Sequence, residues 1–165
     1  MEKQQLNVPE TKLMGIQVRT HYQYELNPMT SKIAGCVQRY WQEGIADRLI
    51  NRANPGRLFA VYTDYESDHT GGYTYFLGEE VSSFDDLPEG LFTLTLPQGT
   101  YTRFTTMPAP LPHVIIDAWY TIWQMSPDEL GGKRIFQSDF EVYDERAQNP
   151  LSAIVDIYVG VSPLA

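Results

Sequence analysis

Apolar and polar residues alternate over residues 13–22, from Ile16 onward, which predicts a first half-buried strand. Turn and capping residues from Asn27 to Ser31 follow. Beyond them Ile33, Val37, Tyr40, Trp41 and Ile45 recur at three- and four-residue steps, so a helix with one packed face is predicted from about Lys32 to Leu49. Asn54-Pro55-Gly56 stops it, and 57–65 and 73–81 return to strand patterning across a polar, Gly-rich connection from Glu66 to Gly72. An acidic loop from Ser82 to Gly90 then separates this stretch from a second one of the same kind. Leu91 to Thr106 alternates as a strand but is interrupted at Pro97-Gln98-Gly99, which predicts an edge entry, bulge or tight bend rather than one unbroken strand. Ile115, Ala118, Trp119, Ile122 and Trp123 share a helical face between Pro112 and Ser126-Pro127, and 135–145 and 153–161 read as two last strands. Both halves read β-α-β-β.

The halves also match residue by residue. Phe59-Ala60-Val61-Tyr62 aligns with Phe140-Glu141-Val142-Tyr143 at an offset of 81, and the segment around Gly78 aligns with that around Gly160 at an offset of 82. The expectation is an α+β fold of duplicated β-α-β-β units with pseudo-two-fold symmetry, antiparallel sheets, helices on one side and a central groove. At 165 residues the chain suits a single domain, with halves at about 10–82 and about 90–162. Strand alternation sets Phe136, Ser138, Phe140 and Val142 on one side, expected to be the helix-packed one. Asp139, Glu141 and Tyr143 fall on the other, and the same phase puts Ala60 and Tyr62 beside Glu141 and Tyr143. The groove's two walls are therefore related but unequal, and Ala60 against Glu141 is where they differ most.

Composition sharpens this picture. Aromatic residues make up 13% of the chain, including 11 Tyr and 3 Trp, and such rings supply contact area with few rotatable bonds. A formal net charge of -9 disfavours direct binding to nucleic acid or an acidic membrane surface and favours a cationic partner. The single Cys36 excludes an internal disulfide, and no signal-peptide or membrane-spanning pattern is present, so a cytoplasmic protein is expected. His21, His69 and His113 read as scattered surface or loop residues, with no metal-ligand spacing and no nucleotide fingerprint nearby; neither metal nor cofactor is expected. A carboxylate among aromatic rings is costly to bury without a partner, and its pKa tends to rise. Glu141 in that setting calls for an organic cation, to which cation–π contacts would add about 0.5–2 kcal/mol each. Its alternatives are solvation at a strand edge or a surface pair with Arg103 or Arg134.

Four motifs in order carry a family resemblance: Leu96-Pro97-Gln98-Gly99-Thr100-Tyr101, Ala118 to Trp123, Asp139-Phe140-Glu141-Val142-Tyr143, and Val155 to Val161. Together with Ala60 to Tyr65 and Tyr75 to Val81 they resemble the GyrI-like, or AraC-type, effector-binding domain from Leu13 to Val161. The resemblance implies a bacterial small-molecule and multidrug binding module, with Glu141 at the bottom of the groove. It implies aromatic ligand contacts at Tyr62, Tyr75, Tyr101, Trp119, Trp123, Tyr143 and Tyr158. Aligning the glycines sets Phe76, not Tyr75, opposite Tyr158, so those two tyrosines cannot both be matched groove residues. Many members follow a helix-turn-helix module; here about a dozen residues precede the first predicted strand, which implies a stand-alone version that regulates transcription through a partner protein. Two alternatives accompany the binding reading. One is a hydrolase of reactive compounds, with Glu141 as general base and Tyr143 or Tyr101 as proton donor. The other is a protein-interaction inhibitor of a larger enzyme such as gyrase.

Overall fold

The computed structural model describes all 165 residues. Its strands are β1 (Glu2–Val8), β2 (Thr11–His21), β3 (Leu58–Thr63), β4 (Gly72–Glu80), β5 (Phe92–Leu96), β6 (Gly99–Thr105), β7 (Gly132–Arg134), β8 (Ser138–Tyr143) and β9 (Asp156–Pro163). Its helices are α1 (Tyr22–Glu25), α2 (Ile33–Gln42), α3 (Ile45–Arg48), α4 (His113–Trp123) and α5 (Pro127–Leu130). All strand pairs are antiparallel, in the order β1-β6-β9-β8-β3-β4-β2-β5, with β7 on β9. Exchanging β1 with β5, β2 with β6, β3 with β8 and β4 with β9 reverses that order onto itself. The pseudo-two-fold axis therefore passes between β3 and β8.

Residues 2–8, which carry no strand expectation, form β1, and β1 pairs with β6 of the opposite half while β5 pairs with β2. Each half thus lends its leading strand to the other. The bend at Pro97 is real, but it separates two strands in different places; Pro9 performs the same task between β1 and β2, and proline's missing N–H suits a point where pairing must stop. The signal was present: Leu6-Asn7-Val8-Pro9-Glu10 repeats as Leu94-Thr95-Leu96-Pro97-Gln98, 88 residues on. The first long helix is also shorter than expected, because Gly44 takes a left-handed conformation at φ 57° and divides α2 from α3. Phe136, likewise at positive φ, lies in the break between β7 and β8, so the strand expected over 135–145 begins only at Ser138, and β7 before it carried no expectation.

The helix-packed face is the reverse of the expected one. Cys36 and Tyr40 of α2 and Ile45 of α3 pack with Met14, Ile16, Ala60, Tyr75 and Leu77. Val114, Ile115, Ala118, Trp119 and Ile122 of α4 pack with Phe104, Val155, Ile157 and Val159. The helices thus cover the Ala60/Glu141 side. The opposite side closes on a core of its own, made of Leu13, Phe59, Val61, Phe76, Leu96, Tyr101, Phe140, Val142 and Tyr158, with Leu6, Val8 and Leu94 from the exchanged strands beside it. Phe140 stacks on Tyr158 at 4.5 Å and on Phe59 at 5.6 Å. With both faces covered, β4 is buried along nearly its whole length. Gly15 and Gly78 face each other across β2 and β4, and a Cβ on either would overlap the other strand's backbone. No helix is long and apolar enough to cross a membrane.

Candidate functional site

Because α2 and α4 cover separate halves, the sheet between them is left open as the floor of a cavity of about 1170 Å³, 20 of whose 29 lining residues are hydrophobic. Ile33, Val37 and Trp41 of α2 form one wall; Ile115, Ile116, Trp119, Tyr120 and Trp123 of α4 form the other. Leu58, Tyr62, Tyr75, Leu77, Glu141 and Tyr143 make the floor. Glu141 lies at its centre for a geometric reason. It is Ala60's partner in the β3–β8 register and also Ala60's equivalent in the repeat, so the pair straddles the pseudo-two-fold axis. Side chains directly opposed in this way stand about 5 Å apart, and like charges there repel. The axis accommodates one carboxylate, and Ala60 leaves it room.

The Glu141 side chain is buried, with 1% of the residue exposed. Tyr62 Oη donates to its Oε2 at 2.6 Å, Trp119 Nε1 donates to the same oxygen at 2.7 Å, and Tyr143 Oη donates to Oε1 at 2.6 Å. Burial raises the carboxyl above its usual range, and these three hydrogen bonds oppose the rise without cancelling it. The same burial, next to the Glu141 charge, pushes the Tyr62 and Tyr143 phenols well up, so both remain donors. Tyr62 is the hub of the aromatic floor: its ring meets Tyr75 and Trp119 edge-on at 5.5 Å and Tyr73 at 5.7 Å.

Neither arginine that might have neutralised Glu141 does so. Arg103 donates to Gln4, and Arg134 pairs with Asp139 at 2.6 Å. Of the four buried carboxylates, Glu79 is held by Arg52, Asp139 by Arg134 and Asp156 by Arg146; Glu141 alone has hydrogen-bond donors and no cation. Strand-edge solvation is excluded as well, since β8 lies in the middle of the sheet.

The family model of Cass2, the integron-associated effector binding protein, matches residues 6–161. The chain belongs to the Cass2 family. Among its relatives, YobU of Bacillus subtilis (strain 168), provisionally named a transcriptional regulator, is 29% identical over 147 residues, covering 89% of each chain. The integron cassette protein Cass2 from the mobile metagenome of Vibrio cholerae superposes with a TM-score of 0.77 at 27% identity, covering 97% of this chain and 95% of the other. SAV2435, solved bound to tetraphenylphosphonium, shares the fold at a TM-score of 0.77 and 18% identity, covering 98% and 94%.

Within this Cass2 fold, six of the expected ligand contacts line the cavity: Glu141, Tyr62, Tyr75, Trp119, Trp123 and Tyr143. Tyr101 and Tyr158 do not. Tyr158 is the register partner of Phe140, and Tyr101 packs on Phe140 at 5.2 Å, so both belong to the helix-free core on the far side. Tyr75 instead partners Tyr62 and faces the cavity. Several lining residues carried no expectation, among them Tyr22, Trp41, Tyr65, Tyr73 and His69. His69 is not a loose loop residue: its ring stacks on Trp123 at 4.7 Å. Trp41 and Tyr73 had a signal in helix and strand phase; Tyr22 and Tyr65 close the stretches 13–22 and 57–65, and His69 sits in the connection from Glu66 to Gly72, where periodicity says nothing.

Proposed function

We propose that the protein is a small-molecule binding module that holds a lipophilic organic cation in the aromatic cavity against Glu141, sensing or sequestering it. The observation that carries this reading is the missing counter-charge. Every other buried carboxylate of the chain has an arginine, whereas Glu141 is desolvated, held by three donors and open to a cavity lined with ring faces. A cation entering there gains the carboxylate's field at low effective dielectric together with cation–π contacts. The tetraphenylphosphonium held by the similarly folded SAV2435 supports the ligand class. A cavity somewhat larger than the usual range for small-molecule sites also suits cations of several sizes, as a multidrug binder requires. Tyr62 and Trp119 converge on one carboxylate oxygen while Tyr143 holds the other, which favours a fixed counter-charge over a general base. YobU's name supports an output in transcription, and the net charge of -9 favours delivering that output through a DNA-reading partner protein.

Titration with tetraphenylphosphonium, followed by tryptophan fluorescence, tests the reading. Saturable quenching from the cavity's Trp119 and Trp123 is expected; an absence of saturable binding to lipophilic cations would sink it.

A further inference from the structure

Two buried ring and guanidinium nitrogens at one end of the cavity have no hydrogen-bond partner: Nδ1 of His69 and Nε of Arg134. They arrive from unrelated parts of the chain, His69 from the connection between β3 and β4 and Arg134 from the end of β7, and converge only here. Both residues also line a second, smaller cavity of about 230 Å³, so with Trp123 they form the partition between the two spaces. Buried polar groups in native proteins are nearly always satisfied, and an unpaired one costs about 1–3 kcal/mol, so a pair of them on residues that line one cavity asks for a ligand group.

The surroundings say which kind. Arg134 is about nine-tenths buried and already neutralised by Asp139, which also accepts from Tyr65 Oη and the Gly160 N–H. Its guanidinium is held over the Phe136 ring at 4.2 Å and the Trp119 ring at 5.8 Å. Burial and the neighbouring Arg134 charge lower the His69 pKa, which leaves a neutral imidazole at ordinary pH. This end therefore offers the Arg134 Nε–H and, in the Nδ1–H tautomer, the His69 Nδ1–H as donors, with little net charge to spare. Asp139 and Glu141 are two residues apart on the same face of β8, about 7 Å along the strand. Trp119 spans the gap, with its Nε1 on Glu141 and its ring toward Arg134.

We propose that His69 and Arg134 form an acceptor-recognising subsite, which takes a neutral carbonyl oxygen carried by the same ligand whose cationic charge Glu141 balances. The ligand class is thereby narrowed from lipophilic cations at large to cations that also bear an oxygen acceptor, reaching from the Glu141 side of Trp119 to its Arg134 side. The inference rests on the cation-binding reading of the cavity, and the following experiment separates the two.

Affinities are measured calorimetrically for a matched pair of probes, (4-oxopentyl)triphenylphosphonium and its alkene isostere (4-methylpent-4-enyl)triphenylphosphonium, which differ only in C=O against C=CH2. The wild-type protein is expected to prefer the carbonyl probe about tenfold, the size of one buried hydrogen bond. His69→Phe, which retains a ring to stack on Trp123 and leaves the Arg134–Asp139 pair alone, is expected to cut that preference at least threefold. His69→Phe combined with Arg134→Lys, where the lysine keeps a charge beside Asp139, is expected to bring it within twofold of unity. No preference in the wild type, or a preference unchanged in His69→Phe, overturns the subsite while leaving the cation reading intact. If neither probe binds, or both are indifferent to Glu141→Gln, the cation reading falls and the subsite falls with it.

Discussion

Replacing Glu141 by Gln separates binding from folding more cleanly than any other change in the cavity. The substitution preserves shape and removes the charge: the amide oxygen still accepts from Tyr62 and Trp119, while the NH2 meets the Tyr143 hydroxyl, which can accept as well as donate. A cation whose centre lies about 5 Å from the carboxylate, at an effective dielectric of about 20, gains about 3 kcal/mol from it. Tetraphenylphosphonium affinity should therefore fall roughly 150-fold. The neutral triphenylphosphine oxide, similar in its ring surface, should change less than threefold. Stability is expected to move the other way. Burial raises the Glu141 carboxyl, so its contribution to the free protein's stability is complete below the unfolded carboxylate's pKa of about 4.3 and is lost as pH rises through the raised folded value. Gln suffers no such loss, and the variant should melt no lower than wild type at neutral pH, with any advantage closing near pH 4. Calorimetric titration and thermal melts of the two proteins decide the matter. A loss of equal size for the cation and the neutral ligand, or an undiminished cation affinity, would refute the counter-charge argument.

Four further outcomes are expected. Tetraphenylphosphonium affinity should be flat at high pH and fall as pH drops below the raised Glu141 value, because protonation removes the counter-charge; titrations across pH 4–9 should show this slope in wild type and none in Glu141→Gln. Tyr158→Ala should destabilise the fold by about 3–5 kcal/mol in denaturant melts, through loss of the ring stacked on Phe140, while cation affinity stays within twofold of wild type because the ring lies on the far face of the sheet. Gly15→Ala should cost about 3–5 kcal/mol or prevent folding, since its methyl would occupy the space of the Leu77 carbonyl; circular dichroism of the purified variant is the check. Deleting residues 1–8 should expose the β6 edge and uncover Leu6 and Val8's neighbours in the helix-free core, lowering the melting temperature and promoting aggregation seen by light scattering.

Much of this molecule is local and periodic, and so was legible in the amino-acid order. The twofold β-α-β-β repeat follows from alternation, three-and-four spacing and an offset of about 80 residues, and the strand phase that groups Glu141 with Tyr62 and Tyr143 follows from side chains alternating across a pleat. That inequality of the two walls, Ala60 against Glu141, needed nothing beyond alignment. Whether a given face is covered by helices is another matter, because it depends on where the β–α connections carry the chain, and the phase of a strand is the same either way. Register decided between Tyr75 and Tyr158: pairing with Tyr62 turns the first into the cavity, and pairing with Phe140 turns the second away. The exchange of β1 and β5 between halves is a long-range pairing with only a five-residue echo at Leu6–Glu10 to announce it. Above all, the absence of a cation beside Glu141 could not be read from the chain, since Arg134 is close in sequence to Asp139 and Glu141 alike; only the packed structure commits it to Asp139 and leaves the central carboxylate for a ligand.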